Sequence, residues 1–354
     1  MNNPFNIAFD YNKASFISDD VILNNLISAT NDENSQLRTT FVVGMRGSGK
    51  TSLLSYLDKQ LEKIPNIIPV KLSSNEDLLD NIMTGVEKEL SISSELKELN
   101  FALPGLNFKF CDQETHGSFQ YDFETLLQRV DRANKTVVIL IDEVQNITAQ
   151  LRTFFASYLM YCIDELPIVV AAAGLPSSID AVLNDESLTF LLRANRIKLQ
   201  PLNLATIVDL YLNLFKGLGL KEKQAFRMAE ASAGYPYLYQ LIGHCLWEHT
   251  TNLVKDVEIE AAIVFAKMNL YEAVYSKVMS DLSQEDRELV FAINDCGGKD
   301  VATSYLKCVL KGSINQVKVR KACLNHWGIT EKSGQGMVSF KLPYFKEFLD
   351  YTYD

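Results

Sequence analysis

The chain contains one glycine-rich stretch that is followed directly by a lysine and a threonine. It runs from Gly44 to Thr51 and matches the pattern G-x-x-x-x-G-K-[ST]. Glycine lets the backbone turn tightly, so that N–H groups surround phosphate oxygens. Lys50 would then place a positive charge beside the terminal phosphates, and the Thr51 hydroxyl is a suitable ligand for Mg²⁺. The stretch predicts a site for a nucleoside triphosphate and its metal ion.

The residues on either side of this stretch have the pattern of a strand and a helix. Residues 40–43 are apolar and β-prone, and residues 52–57 continue as a helix whose positive N-terminal end would face an anion. A glycine-rich turn without a ligand is the alternative. We expect Arg46 to make a packing or lid contact. The residues predicted to contact ATP are Gly44, Met45, Arg46, Gly47, Ser48, Gly49, Lys50, Thr51 and Ser52.

Two carboxylates follow one of the longest apolar runs of the chain. Residues 136–141 are nearly all apolar, and Asp142 and Glu143 come directly after them. Such a run is typical of a strand buried on both faces of a parallel sheet, where ligands bind at the carboxyl ends of the strands. We predict that Asp142 holds Mg²⁺ and that Glu143 orients or deprotonates the attacking water. Two acids that begin a surface loop are the alternative.

Arg193 and Arg196 precede the last apolar segment of the same region. In ATPases that form rings or filaments, an arginine at this junction stabilises phosphate charge in the site of a neighbouring subunit. The sequence supports this catalytic role and a solvated or salt-bridged pair equally. The catalytic role requires a homo-oligomer.

Strand and helix patterns alternate around these residues and then give way to helices alone. The alternation predicts an α/β fold, a five-stranded parallel P-loop core. The last part has the order helix, helix–turn–helix and glycine-tipped hairpin of a winged helix. Residues 91–120 read as an insertion with a hairpin around 108–119. The predicted parts are an N-terminal segment (1–38), the ATPase core (39–202), a helical lid with a connecting helix (203–280) and a winged helix-turn-helix domain (281–354).

The composition is that of a globular protein with more than one domain. The chain has 354 residues, of which 47% are hydrophobic and 22% are charged. Its longest apolar runs are too short to span a bilayer and its start lacks the pattern of a signal peptide, so we expect a cytoplasmic protein without membrane contact. The six cysteines form no C-x-x-C pair, and structural zinc is not expected. The net charge of −10 argues against a protein that coats nucleic acid.

The C-terminal part is nevertheless locally basic. On a helix over residues 315–327, Lys318, Lys321 and Asn325 lie opposite an apolar arc, which suits presentation to a DNA major groove. Lys332 in the hairpin is a candidate contact to backbone phosphates. Winged helices also bind proteins, so a protein partner is the alternative to double-stranded DNA. The apolar arc consists of Val317, Val319, Cys323, Leu324 and Trp327.

Several segments together resemble one family of ATPases. They are the opening N-P-F, the loop GMRGSGKT, the strand end DEVQ, and the segments VAAAGLP, RIKLQPL, AGYPYLYQLIG and FKLP. With them the chain resembles AAA+ ATPases of the bacterial and archaeal group related to origin-recognition and replication-initiator ATPases, which adjoin the signal-transducing STAND ATPases. The resemblance implies ATP bound between core and lid, with hydrolysis coupled to conformational change.

The sequence departs from that family at Asp19-Asp20, where relatives tend to have a Gly-Arg pair, and at two positions that bear on turnover. At the end of the fourth strand, where the family often has a polar residue, stand Ala172, Ala173 and Gly174; where many members have a lid arginine, the chain has Gly234-Tyr235-Pro236. Both departures favour a slow switch over rapid turnover. We therefore expect a Mg²⁺-dependent ATPase that engages DNA through a winged helix. The alternatives are a STAND-like regulatory ATPase that contacts proteins and, from another class, a small-molecule kinase.

Overall fold

The computed structural model describes residues 2–5, 14–17, 20–32, 35–74, 77–92, 119–144, 148–310 and 313–353. The hairpin predicted around 108–119 therefore lies, up to residue 118, outside the described residues. The helices are α1 (Asp20–Thr30), α2 (Lys50–Leu61), α3 (Leu78–Ile92), α4 (Phe119–Arg132), α5 (Ala149–Ile163), α6 (Pro176–Leu183), α7 (Leu204–Leu214), α8 (Glu222–Ser232), α9 (Pro236–His249), α10 (Asp256–Leu270), α11 (Ser276–Asp281), α12 (Gln284–Asp295), α13 (Thr303–Val309), α14 (Ile314–His326) and α15 (Phe345–Tyr353). The strands are β1 (Thr39–Val43), β2 (Ile67–Ser73), β3 (Thr136–Val144), β4 (Ile168–Gly174), β5 (Asn195–Lys198), β6 (Val301–Ala302), β7 (Thr330–Gly334) and β8 (Met337–Phe340).

Five strands form the parallel sheet that the strand–helix alternation predicts. Their order is β2-β3-β4-β1-β5, and all neighbouring pairs are parallel. β4 is buried throughout, and every residue of β3 except Glu143 is buried. This burial explains the near-continuous apolar runs, because each strand has side chains on both faces of the sheet. The predicted fold class, a five-stranded parallel P-loop core, is confirmed.

The described residues group into two compact units. The sheet unit consists of Ser18–Val43 and Lys50–Lys198, and the helical unit of Met1–Ile17, Gly44–Gly49 and Leu199–Asp354. Each unit has its own apolar core. The glycine-rich loop therefore packs with the helical unit, although the residues before and after it in the chain belong to the sheet unit.

The first part of the helical unit consists of helices α7 to α10 and the start of the chain. Phe5 is 3% exposed and packs against the rings of Tyr211, Phe215 and Tyr239. Its ring lies where a side chain on Gly243 would stand. Phe5 is thus part of the core formed by helices α7 to α10.

The last part of the helical unit combines short helices with a small sheet. The order is α12, β6, α13, α14, β7, β8 and α15, and the antiparallel strands lie in the order β6-β8-β7. β6 has only two residues and was not predicted from the sequence. The order of elements is consistent with a winged helix.

One prediction about α14 is wrong. Val319 was placed in the buried arc with Val317, but Val319 is 70% exposed whereas Val317 is 2% exposed. The two residues stand about 200° apart on a helix with 3.6 residues per turn. The neighbours of α14 are α12, α13 and β7, and they cover only the narrower side that carries Val317 and Leu324.

Candidate phosphate-binding site

The sheet unit supplies the residues at the start of α2. This helix begins at Lys50, directly after the glycine-rich loop, and Lys50, Thr51 and Ser52 are half-buried in its first turn. The first N–H groups of a helix lack partners within the helix, and the helix dipole adds partial positive charge there. The lysine, the threonine hydroxyl and the first amide groups of the helix therefore lie together at one helix terminus.

Asp142 and Glu143 differ in exposure although they are adjacent. Asp142 is 7% exposed, and its Oδ1 accepts a hydrogen bond from the Glu143 N–H at 2.9 Å. Glu143 is exposed and has a φ of 55°, and the pairing of β3 with β4 shifts register between Ile141 and Val144. A non-glycine residue in this backbone region is strained by about 1–3 kcal/mol, and such strain is concentrated at functional sites. The irregularity leaves one carboxylate buried and directs the other to solvent.

Ser74 is a polar residue of this region that the sequence analysis missed. It follows β2, and its N–H donates to the Asp142 carbonyl oxygen at 3.1 Å. Its buried hydroxyl has no hydrogen-bond partner among the residues that the structure describes. The sequence signal for Ser74 is its position directly after β2, the strand beside β3 with its two acids. Ligands of parallel sheets bind at this edge.

The helical unit contains the glycine-rich loop itself. Gly47 and Gly49 have φ values of 74° and 88°, which disfavour any residue with a side chain. A Cβ atom on Gly47 would lie 2.8 Å from the Tyr235 hydroxyl. The buried hydroxyl of Ser48 has no partner in the described part of the chain. The loop thus combines backbone that only glycine tolerates with an unsatisfied polar group, which suits an oxygen-rich ligand.

Two residues at the start of α9 hold this loop. The Tyr235 hydroxyl donates a hydrogen bond to the Arg46 carbonyl oxygen, and the Tyr237 N–H donates to the Gly47 carbonyl oxygen at 3.2 Å. Burial raises the pKa of Tyr235, so its hydroxyl remains a donor at neutral pH. The sequence analysis treated Tyr235 only as a departure from the family. Its role as a contact to the loop depends on tertiary structure.

The side chain of Arg46 forms an ion pair with the end of α11. Its guanidinium lies 3.2 Å from Asp281, which also pairs with Lys277 at 2.9 Å. Partial burial raises the pKa of Asp281, but hydrogen bonds from Lys277 and Arg46 lower it by more, so the net shift is downward. Asp281 is therefore ionised at neutral pH. The sequence analysis expected a packing or lid contact for Arg46 and did not identify Asp281.

Arg193 and Arg196 are exposed and lie away from the carboxyl edge of the sheet. β5 pairs with β1 so that Asn195 stands beside Thr40, which puts Arg193 before the amino end of β5. Asp142 is near the carboxyl end of β3. At about 3.3 Å per residue, the length of β1 alone separates the two edges by roughly 13 Å. Action of these arginines on the nucleotide of a neighbouring subunit stays a prediction.

The predicted DNA contacts in the last part of the chain have different surroundings. Lys318 and Lys332 are exposed. Lys321 is half-buried and donates to the Thr303 hydroxyl at 2.8 Å. The Asn325 side chain accepts a hydrogen bond from the buried Thr330 hydroxyl at 2.5 Å. Asn325 is therefore already used in joining α14 to β7.

Lys318, Lys321 and Lys332 form a group of like charges. Burial lowers the pKa of Lys321, and the charges of Lys332 and Lys318 lower it further. None of the three has a salt bridge with another described residue. Concentrated positive charge without a carboxylate partner is suited to an anionic partner.

The described ranges contain neither a cluster of metal-ligating side chains nor a membrane-spanning helix. Within them, no group of three or more histidine, cysteine, aspartate or glutamate side chains is placed to hold a metal ion. No helix of these ranges combines the length and apolarity needed to cross a bilayer.

Comparison with known proteins supports the resemblance predicted from the sequence. A family model described as an AAA domain matches residues 33–183, and a domain of unknown function matches residues 272–349. None of the curated proteins matches the sequence of this chain.

Solved structures provide the comparison over the whole fold. The ORC2 protein of Aeropyrum pernix, in ADPNP–ADP complexes, is 10% identical with a TM-score of 0.62, and the match covers 94% of this chain and 91% of that protein. Cdc6p of Pyrobaculum aerophilum is 14% identical with a TM-score of 0.47, over 94% of this chain and 93% of that one. Only the first score is high enough to compare folds. Residues 33–183 are therefore similar to the AAA domain family, and the chain shares the fold of the Aeropyrum pernix ORC2 protein.

Proposed function

We propose that this chain is a Mg²⁺-dependent ATPase that hydrolyses ATP slowly and uses it as a switch for binding double-stranded DNA through its C-terminal winged helix. The observation that carries the proposal is the set of contacts made by the glycine-rich loop. Tyr235 of the lid and Asp281, next to the C-terminal elements, both contact Arg46 of that loop. A ligand that reshapes the loop changes the environment of both residues.

The residue types of the loop, of the start of α2 and of the end of β3 are those that bind a triphosphate and its metal. The loop amides and Lys50 would hold the phosphates, and Thr51 and Asp142 would hold Mg²⁺. A Mg²⁺ ion bound there would neutralise phosphate charge. Glu143, exposed and turned out by its left-handed backbone, would orient or deprotonate the attacking water. The ADPNP–ADP complexes of the Aeropyrum pernix protein support a nucleotide in this fold.

Slow turnover is supported by what stands at the end of β4. Ala172 and Ala173 are fully buried, and Gly174 ends the strand, so these three residues have no polar side chain to detect the terminal phosphate. In the lid, Tyr235 supplies a neutral hydroxyl where an arginine would supply charge. Fewer groups would then stabilise the charge that develops in the transition state. ATP would persist long enough to act as a signal.

The ion pair between Arg46 and Asp281 gives a test of the switch. We expect Asp281→Asn to leave ATP affinity nearly unchanged but to reduce the difference in duplex affinity between the ATP-bound and ADP-bound protein. The side chains are 29% and 31% exposed, so the pair contributes about 0.2–1 kcal/mol, and the difference should fall by up to about five-fold. Fluorescence anisotropy with a labelled duplex measures it. Asp295→Asn, at the exposed end of α12, is the control, and an unchanged ATP–ADP difference in Asp281→Asn would refute the coupling.

DNA binding itself is tested by its salt dependence. We expect the double variant Lys318→Ala, Lys332→Ala to bind duplex DNA more weakly and to lower the slope of log K against log salt by about 0.9 for each phosphate that is no longer neutralised. Titrations of the full chain between low and moderate salt give the slope. The matched control removes two exposed lid lysines, Lys216 and Lys223. No duplex binding in either nucleotide state would transfer support to the alternative function.

That alternative is a STAND-like regulatory ATPase whose partner is a protein. The observation in its favour is an apolar face of the lid helix α10. Val257, Val264 and Phe265 are 70%, 54% and 50% exposed on this helix. Exposed apolar groups of this kind are typical of protein interaction sites. A homo-oligomer that shares nucleotide sites through Arg193 is a further partner consistent with this function.

A further inference from the structure

We propose that α14 recognises A·T base pairs in the major groove through an outward face formed by Asn315, Val319 and Ala322. The inference rests on the proposed function, since it requires that the C-terminal domain binds duplex DNA. It differs from the residue set predicted from the sequence, which consisted of three lysines and Asn325. It assigns base recognition to residues outside that set.

The buried side of α14 determines which residues face outward. Val317 and Leu324 are 2% and 0% exposed and lie close together around the helix. At about 100° per residue, Asn315, Val319 and Ala322 all point within roughly 30° of the opposite direction. All three are exposed, and Val319 is 70% exposed. They therefore form one face that is directed away from the domain, and the exposed His326 stands at its C-terminal end.

The chemistry of this face matches an A·T pair. The amide of asparagine makes two hydrogen bonds with adenine, to N6 and N7, and small apolar side chains contact the 5-methyl group of thymine. Asn315 is the second residue of α14, within the first turn, where recognition helices contact base edges. Val319 and Ala322 follow on the same face and present methyl groups.

The flanks of the helix identify duplex DNA as the occupant of this face. Lys318 and Lys321 lie on one side of it, and the charges of Lys318 and Lys332 both act on Lys321. The three lysines have no salt bridge within the described part of the chain. A narrow face of amide and methyl groups beside unpaired positive charge is complementary to a groove bordered by phosphates. An apolar protein surface would leave these charges without partners.

The test uses duplexes that differ only in the thymine methyl group. Alternating poly(dA-dT) is compared with the same polymer containing deoxyuridine in place of thymidine, by competition against a labelled duplex with the full chain and Mg²⁺–ATP. We expect the wild-type protein to bind the thymine duplex about four-fold more tightly, which corresponds to the burial of about one methyl group. Val319→Ala should bring this ratio close to one. Val257→Ala on α10, equally exposed at 70%, should leave it unchanged.

Three results are distinguishable. A thymine preference that Val319→Ala removes and Val257→Ala retains supports the assignment. An equal preference in wild type and Val319→Ala, or no preference in wild type, overturns it even though the protein binds DNA. Absence of binding to both duplexes at low salt overturns the proposed DNA binding itself. In addition, Asn315→Ala should weaken binding to poly(dA-dT) by more than it weakens binding to poly(dG-dC), and equal weakening would contradict the role of the amide.

Discussion

Replacing Lys50 by alanine is expected to weaken ATP binding by up to about 100-fold. The ammonium group would contact the terminal phosphates, and a hydrogen bond to a charged group contributes up to about 3 kcal/mol, which is roughly 100-fold in affinity. The helix should remain intact, because alanine has the highest helix propensity and Lys50 lies in the first turn of α2. Isothermal titration calorimetry with ATP and Mg²⁺ gives the affinity directly.

A matched substitution shows whether the loss of affinity comes from the position of Lys50 or from the loss of any positive charge on α2. Lys59→Ala makes the same change in the last turn of α2 and should leave the affinity within about two-fold, since the helix-dipole and phosphate contacts belong to the first turn. Circular dichroism checks that both variants are folded. If Lys50→Ala bound ATP as tightly as the wild-type chain, the glycine-rich loop would not be the nucleotide site, and the proposed function would fail with it.

Glu143→Gln is expected to slow ATP hydrolysis and to leave ATP binding nearly unchanged, whereas Lys50→Ala weakens binding. Glutamine keeps the size of the side chain but cannot accept a proton, so turnover should fall by about 10²–10⁴-fold, the usual contribution of a general base. ATP affinity should change little, because the metal and phosphates would contact Asp142, Lys50 and Thr51. Phosphate release under single-turnover conditions measures the rate, and calorimetry measures the affinity.

The control for this variant has the same backbone conformation. Glu165 is also exposed and also has a φ of 55°, but it lies before β4, at the amino edge of the sheet. Glu165→Gln should therefore retain full turnover. Equal loss of ATP binding in Glu143→Gln and Lys50→Ala would show that Glu143 contributes to binding and not to the chemical step.

The sheet and the loop were predictable because they depend on residue patterns within short segments of the sequence. A strand buried on both faces must be apolar nearly throughout, as β3 and β4 are, and the loop requires glycine where φ is positive. Parallel strands also bring their carboxyl ends to one edge. The position of Asp142 at that edge therefore followed from the residue pattern alone.

Contacts between distant segments were not predictable in the same way. Tyr235 and Asp281 are far from Arg46 in the chain, and no periodic pattern links them to it. The left-handed backbone of Glu143 depends on the register shift between β3 and β4. For α14, the hydrophobic period gave the direction of the buried side, but the width of that side depends on how much surface the neighbouring elements cover. Val319 was misplaced for that reason.

The grouping of the loop with the helical unit has a consequence for synthesis on the ribosome. Gly44–Gly49 are translated early, whereas the residues from Leu199 onward, with which they pack, are translated last. Domains generally fold as units during synthesis, and the ribosome adds about 5–20 residues per second. The nascent glycine segment therefore waits roughly ten seconds or longer for Tyr235 and Asp281. During that interval neither contact exists, because Tyr235 and Asp281 have not yet been synthesised.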